Sequence, residues 1–472
     1  MHTDFSFYLL IFEQIILRIE HNAKLMNIPA PLLKHIDEKS IELVELLDKV
    51  ELPSRIKQEP TGSMGEKIPL DWSDKIGDSN SKVYSALDYK NRKIDIWYEM
   101  DGHKIGYDLE KYKIYSKFVE SLHKKRFHSF VTNDFLESNI FNWVLETHLN
   151  GKAATNLSEY IVQIIEGSIV TRTYSFPILY LEIPTFLKVG PVSIRYFTKD
   201  NFDESEAIYA RENDGKKNSG FLRKQFQGVV LASVEETAQS DRGAELAFEK
   251  CSLAVDLLKI YSKTFSRPDI ILDFDIDSRA KTQTNNYIFS QVTGSMEDLT
   301  VSLHKRFETN RIDTMDLQRM HDMQFGFITQ FAFSNEEQSE LSGMIINAIK
   351  NFANALSNRD LNKRIAELCS IYESLLVPDK QAHILESLKK YGPKIVTTDL
   401  ERRKELKKLI TDFYDIRCAL IHHGQHEEFD MLQLSRFQYT LLYLILNLIQ
   451  KSKTHKKKIE VLTEIDEAIH AA

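Results

Sequence analysis

Near the C-terminus, the run Phe437 to Ile449 (FQYTLLYLILNLI) carries no charge and places apolar side chains on nearly every face of a helix. A membrane span needs about 20 apolar residues, so a run this short reads as a buried core helix. A helix that is apolar nearly all round has to be covered from several sides. The segment Phe429 to Gln450 is therefore expected at the centre of a helical bundle. Periodic apolar runs at 336–357, 360–376, 381–391, 400–422, 431–451 and 457–470 supply the neighbours, with Pro378 and a Tyr391-Gly392-Pro393 turn between them. Short connections between long helices make the neighbours antiparallel.

Ahead of this bundle the pattern changes. Residues 5–50 read as two helices separated by Pro29 and Pro31, and Leu9, Phe12, Ile16 and Ile19 mark one helical face. The Pro-, Gly- and Ser-rich stretch 51–81 reads as a linker or long loop. Two β-rich runs flank Asp101-Gly102, a strong hairpin signal. Helices are expected around 111–128, 133–149 and 157–167, and strands at 178–183, 192–197 and 228–233. An amphipathic helix follows at 243–263, then the strands ILDFDID and YIFSQV. The expected fold class is α+β, mainly α. Its three parts are an N-terminal helical region with a β-hairpin (1–150), a mixed α+β sensor or regulatory domain (151–334) and a helical domain (335–472).

At 472 residues the chain is long enough for about three domains. With 42% hydrophobic and 28% charged residues, low-complexity and largely disordered classes are excluded. Three cysteines, Cys251, Cys369 and Cys418, rule out a disulfide scaffold and fit a reducing compartment. The N-terminal apolar run contains Glu13 and has no basic leader, so no signal peptide is read and a cytoplasmic location is expected. A net charge of −8 argues against a chain that coats nucleic acid non-specifically. From residue 335 onward, however, 20 basic residues balance 20 acidic ones, and the bases are clustered.

Several enzyme signatures are missing. There is no GxxxxGK[ST], HExxH, GxSxG or CxxC, and Gly62 to Lys67 has the wrong spacing for a phosphate loop. Asp273, Asp275 and Asp277 alternate as on one face of a strand, where they would offer Mg²⁺ ligands or simply a solvated sheet face. No metal and no cofactor are expected.

The constellation with chemical content is FYDIRCALIHHG, residues 413–424. Imidazole is the side chain suited to proton exchange near neutral pH, and guanidinium donates paired hydrogen bonds to phosphate oxygens. Together they supply what metal-free RNA backbone cleavage requires: a proton acceptor for the 2′-OH and a cation for the phosphorane. On a regular helix, Arg417 and His422 lie about 140° apart. They converge only if the helix ends there or a second subunit completes the site. Upstream on the same helix stand Arg402, Arg403, Lys404, Lys407 and Lys408, and Lys451, Lys453, Lys456, Lys457 and Lys458 follow the apolar helix. These runs are either solvated faces or phosphate-tracking surfaces, with Tyr391 and Tyr414 as stacking platforms for bases.

The order RIAELCSIYESLL (364–376), a helical interval, FYDIRCALIHHG and a long apolar helix resembles the HEPN superfamily, in particular its ApeA-like branch. The resemblance covers roughly 335–465. Tyr372-Glu373-Ser374-Leu375-Leu376 matches that branch's LExLL segment, and Tyr414, Asp415, Ile416, Arg417 and His422 match its YDIRxxxxH signature. Two positions depart from the family. Cys418 stands where many such nucleases have Asn, Asp or His, and His423 where Gly is common, which leaves the choice between His422 and His423 open with His422 preferred.

The resemblance implies a helical domain that forms a homodimer, with the two arginine–histidine motifs meeting at the interface. It implies a metal-independent endoribonuclease acting on RNA, tRNA included, in toxin or anti-phage defence. Arg417, His422 and Glu373 would be catalytic, and His423, Cys418, Tyr414 and Asp415 accessory. Arg402, Arg403, Lys404, Lys407 and Lys408 would bind RNA. The N-terminal regions would act as sensor for a trigger such as a phage protein, with no membrane involved. The alternative is a catalytically inactive member that dimerises, binds nucleotides and recruits a separate effector.

Overall fold

The computed structural model describes residues 28–51, 82–88, 90–100, 103–198, 228–277, 279, 285–292, 295–303, 309–334, 339–379 and 381–470. They fall into two compact units, the first within Met1–Arg172 and Glu236–Glu245 and the second within Thr173–Glu235 and Leu246–Ala472. The first helix expected within 5–50 and nearly all of the 51–81 stretch lie outside the described residues.

In the first unit, α1 (Ala30–Glu45) leads to a four-stranded sheet of β1 (Asp48–Glu51), β2 (Lys82–Tyr84), β3 (Ile96–Met100) and β4 (His103–Tyr107), in the order β1-β4-β3-β2. Met100 pairs with His103, so β3 and β4 form the antiparallel pair that the sequence indicates, while Asp101-Gly102 between them lie outside the described residues. Three helices follow, α2 (Leu109–Leu122), α3 (Asn133–Asn150) and α4 (Leu157–Ser168). The Asp108 carboxylate caps α2 by accepting the Glu110 and Lys111 N–H groups, and Thr132 caps α3 through the Phe135 N–H. The buried Glu137 carboxylate accepts from the Tyr112 hydroxyl and from Lys93 Nζ at 2.9 Å, so its charge is paired within the core.

The second unit holds most of β5 (Val170–Leu179), all of β6 (Leu181–Glu182), β7 (Leu187–Val189) and β8 (Val192–Tyr196), and most of β9 (Val230–Ala238) and α5 (Ser240–Ile260). After α5 come β10 (Asp275–Ile276), the hairpin β11 (Asn285–Val292) and β12 (Ser295–Leu303), and β13 (Asn310–Arg311). The main sheet runs β10-β5-β9-β8-β7, and β6 pairs in parallel with β13. The expected ILDFDID strand contracts to β10. Its first residues bond to a side chain and not to a strand, since Asn310 Oδ1 accepts the Asp273 N–H at 3.0 Å and Asn310 Nδ2 donates to the Ile271 carbonyl at 2.9 Å. Arg359 grips both oxygens of Asp273 at 2.8 Å, and Lys259, only 2% exposed, donates to Asp275 at 2.7 Å. Arg279 bridges Asp256 at 2.8 Å and Asp275 at 3.5 Å. Asp273 and Asp275 are thus neutralised by cations instead of facing solvent. Among the described residues no group of three His, Cys, Asp or Glu side chains is placed to hold a metal ion.

Two short helices that the pattern did not announce, α6 (Thr314–Asp322) and α7 (Phe325–Ala332), precede the bundle. A reciprocal capping box between Asp313 and Asp316 starts α6. Then come α8 (Glu340–Leu356), α9 (Leu361–Leu376), α10 (Ile384–Val396), α11 (Leu400–His423), α12 (Met431–Lys451) and α13 (Lys458–His470). As expected, α12 is central, packed by α7, α8, α9, α10 and α11, with Leu434, Leu441, Leu444 and Ile445 fully buried. One cluster of buried side chains extends from Ile178 to Ile465. No helix among the described residues is long and apolar enough to cross a membrane. The fold class is α+β, mainly α.

One expectation fails. Tyr391-Gly392-Pro393 is not a turn but lies inside α10. Proline there leaves the Lys389 carbonyl without its helical donor. Glycine beside it eases the packing, because a Cβ on Gly392 would stand 3.2 Å from the Leu376 side chain and 3.4 Å from that of Ile410, close against α9 and α11.

Arg364, 1% exposed, spends its guanidinium on backbone: it donates to the Pro268 carbonyl at 2.6 Å and to that of Asn358 at 2.9 Å. Burial lowers its pKa to about 10, with Glu367 opposing the shift, so the group stays charged near neutrality. Arg364→Ala strips two buried carbonyls of their donor and leaves a void, which is expected to cost about 3 kcal/mol. Urea unfolding is the check.

Candidate functional site

A stack of rings positions the motif. Tyr372 of α9 lies against Phe437 of α12 at 4.9 Å between centroids, and Phe437 stacks on Phe413 of α11 at 4.6 Å. The Tyr372 hydroxyl donates to the Phe437 carbonyl at 3.4 Å, and the buried Cys369 thiol to the Phe413 carbonyl at 3.5 Å. Burial pushes that thiol far above its usual range, so Cys369 serves packing rather than nucleophilic chemistry. The clamp fixes α9 against α11 in both register and rotation. Glu373 follows Tyr372, and Arg417 lies one turn after Phe413, so the two are delivered to the same place.

There they pair. Arg417 Nη2 donates to Glu373 Oε2 at 3.2 Å, and Arg417 Nε stands 3.0 Å from Oε1, close enough for an ion pair but misaligned for a second hydrogen bond. The side chains are 15% and 18% exposed, half-sunk between the helices with an edge towards solvent. Burial raises the Glu373 pKa above its ordinary value, and Arg417 pulls it partly back. The Arg417 guanidinium also lies 5.4 Å from the centre of the Tyr414 ring, a cation–π contact, and burial raises the Tyr414 pKa. Cys418 is half-buried beside them.

The histidines are elsewhere. His422 and His423 are both exposed on the last turn of α11, with ring centroids 6.4 Å apart. The helix stays regular to His423 and stops at Gly424, whose φ of 65° suits glycine, with its N–H bonded to the Leu420 carbonyl at 2.9 Å. Arg417 and His422 therefore keep their separation of about 140° around the axis and about 7.5 Å along it. The sequence-identified residues resolve into a half-buried Glu373–Arg417–Tyr414 group and an exposed histidine pair.

The five upstream bases also part company. Arg403 Nε donates to the Thr397 carbonyl at 2.8 Å, and Lys404 pairs with Glu401 at 2.8 Å. Arg402 lines a groove of about 650 Å³ between α11 and α12 with Arg436, Tyr439 and Tyr443. Lys407 borders a cavity beside α10. Around α11, Lys404, Lys407 and Lys408 fall within about 60° of His422, whereas Arg402 lies on the far side. Tyr391 is no stacking platform, being 5% exposed with its hydroxyl on Asp466 at 3.0 Å.

Sequence reasoning missed an acidic groove. Asp412 and Asp415 of α11 and Glu427, Glu428 and Asp430 of the next loop line a depression of about 430 Å³. The string Gln425-His426-Glu427-Glu428-Phe429-Asp430 carried the signal. Asp415 thus belongs with the acids, about 160° around α11 from Arg417 and about 20° from His422. Compared with family models, curated proteins and solved structures, the chain matches none. By fold and site it is an α+β protein with a C-terminal helical region that holds a half-buried arginine–glutamate pair.

In the Arg417→Ala variant, Glu373 loses the cation that holds its pKa down. A carboxyl whose folded pKa is raised gives full stability below its unfolded value and loses it as pH climbs through the folded value. The variant's deficit relative to wild type should therefore grow between about pH 4.5 and about pH 7, as an unpaired Glu373 is forced to ionise. Urea midpoints at the two pH values measure this, and an equal deficit at both would contradict it.

Proposed function

We propose that the chain is a metal-independent endoribonuclease of HEPN type, with residues 335–472 as the nuclease domain. The observation that carries the reading is the Arg417–Glu373 pair, a guanidinium pre-oriented by a carboxylate at the solvent edge of two clamped helices. A fixed guanidinium is what a developing phosphorane dianion requires. In the reaction, His422 takes the proton from the 2′-OH, whose oxygen attacks the adjacent phosphorus. The P–O5′ bond breaks, leaving a 2′,3′-cyclic phosphate and a 5′-OH that receives a proton. Arg417 neutralises the equatorial oxygens. Glu373 is a positioning residue that holds Arg417.

Because Arg417 and His422 diverge around α11, one protomer's arginine and its partner's histidine make up each site in a homodimer. RNA, tRNA included, is the substrate. The activity serves as a toxin or anti-phage effector in the cytoplasm, held in check by the N-terminal regions until a phage product acts. The same divergence, with Arg417 occupied by Glu373, also favours the second reading, an inactive HEPN scaffold that dimerises, binds nucleotides and recruits another effector.

Cleavage of single-stranded RNA by the purified protein separates the two. It should persist in EDTA, yield a cyclic phosphate, and stop when the cut site carries a 2′-O-methyl group. Strict dependence on added Mg²⁺ would sink the mechanism.

The motif variants divide the labour. Arg417→Lys keeps the charge but loses the planar fork, and His422→Ala removes the proton acceptor. Each should lower the rate at least about 100-fold. His423→Ala should be mild, and Glu373→Gln intermediate. Full activity in both Arg417→Ala and His422→Ala, with melting temperatures like wild type, would leave the scaffold reading.

A further inference from the structure

Between α10 and α11 lies an open cavity of about 580 Å³ whose wall carries Lys389, Lys390, Lys394 and Lys407 against a single carboxylate, Glu386. Two of the four ammonium groups are paired, Lys389 with Glu386 at 2.9 Å and Lys390 with Asp466 at 2.7 Å. Lys394 and Lys407 have no ion-pair partner among the described residues. Burial together with the charges of Arg403, Lys407 and Lys390 lowers the Lys394 pKa, with Asp466 opposing the shift, so positive potential prevails at this end of the cavity. None of these residues except Lys407 belongs to the motif helix, and Lys389, Lys390 and Lys394 stand apart from the basic run that the sequence singles out.

We propose that this cavity binds backbone phosphates of the RNA strand, upstream on α11 from the motif. Several positive charges converging on one open space call for a ligand with more than one negative charge. Lysines bind phosphate as point charges, with no planar fork to demand a carboxylate's geometry. The cavity offers no exposed aromatic face, since the Tyr391 ring is buried, so it holds backbone without reading bases. Lys407 joins the cavity to the face of α11 that carries Lys404, Lys408 and His422. From Lys407 to His422 the helix rises about 22 Å, the reach of six to seven stacked nucleotides at about 3.4 Å each. Phosphate as the ligand chemistry follows from the cavity itself, whereas RNA as its source rests on the nuclease reading.

The test uses the full chain and a fluorescent, fully 2′-O-methylated oligonucleotide of about 12 residues, which binds without being cut. Affinity is measured across a salt series for wild type, for Lys394→Gln/Lys407→Gln, and for Lys34→Gln/Lys113→Gln, which removes the same charge from exposed lysines of the first unit. The cavity variant should bind at least about tenfold more weakly. Its log–log salt slope should flatten by about 1.4, which is about 0.7 for each phosphate that no longer meets a lysine. The control should match wild type. Replacing Lys394 relieves repulsion, so the cavity variant should melt no lower than wild type, and loss of binding cannot then be ascribed to unfolding. Equal affinity and slope for cavity variant and control would overturn the proposal.

A second arm adds inorganic tripolyphosphate. Stabilisation of wild type that vanishes in the cavity variant, without any affinity for the oligonucleotide, would support the phosphate site and overturn RNA as its source. Cleavage of unmodified RNA is scored separately, so a protein that binds through the cavity but never cuts would refute the nuclease reading alone.

Discussion

Everything in the C-terminal half hangs on the need to keep α12 dry. Its Leu and Ile side chains are buried around most of the helix, and each contributes about 1.5–3 kcal/mol when taken out of water. No single neighbour covers such a surface, so α7 to α11 all dock onto it. Orientation of Glu373 and Arg417 follows from this docking. Phe437 stands between Tyr372 and Phe413, and the helix faces that meet there bring Glu373 and Arg417 together. The drive is strong enough to carry a defect: Gln438, fully buried, has no hydrogen-bond partner for either amide atom among the described residues. Such a group costs about 1–3 kcal/mol, less than a pair of buried leucines supplies.

Where the sequence carried a strong period or a decisive turn residue, the fold was legible in it. The helices from 340 onward, the antiparallel pairing of β3 with β4 and the amphipathic α5 follow from local pattern alone. The failures have tertiary causes. Gly392-Pro393 looks like a break because local rules forbid proline in a helix, yet two neighbouring helices hold it there. Asp273 and Asp275 look like an exposed strand face because their partners Arg359, Lys259 and Arg279 are brought in from other parts of the chain. The sequence reading starts this strand near 178, although Tyr174, Phe176 and Ile178 already alternate with Thr173, Ser175 and Pro177, because none of the residues before Ile178 is buried.

At the site the same division holds. Nearness of Glu373 to Arg417 was implied by the motif pair and needed only the packing of α9 on α11. The fate of the basic run was not legible. Residues adjacent in sequence are spread about 100° apart on a helix, so Arg402, Arg403, Lys404 and Lys407 end up in a groove, on a carbonyl, on a glutamate and at a cavity. The lysines that complete that cavity lie on α10, and sequence distance hid them. The acids of 427–430 were in plain view but acquired meaning only once the loop folded back along α11.

The straightness of α11 through His423 has a kinetic meaning. A chemistry that needs both Arg417 and His422 at one phosphate has to borrow one of them from a second molecule. Its onset then follows the square of protein concentration while encounters are rare, and levels off once pairs predominate. A few copies per cell would be nearly silent, whereas a modest rise in copy number, or anything that holds two chains side by side, would switch the reaction on steeply. The geometry of a single helix end would thus set a threshold.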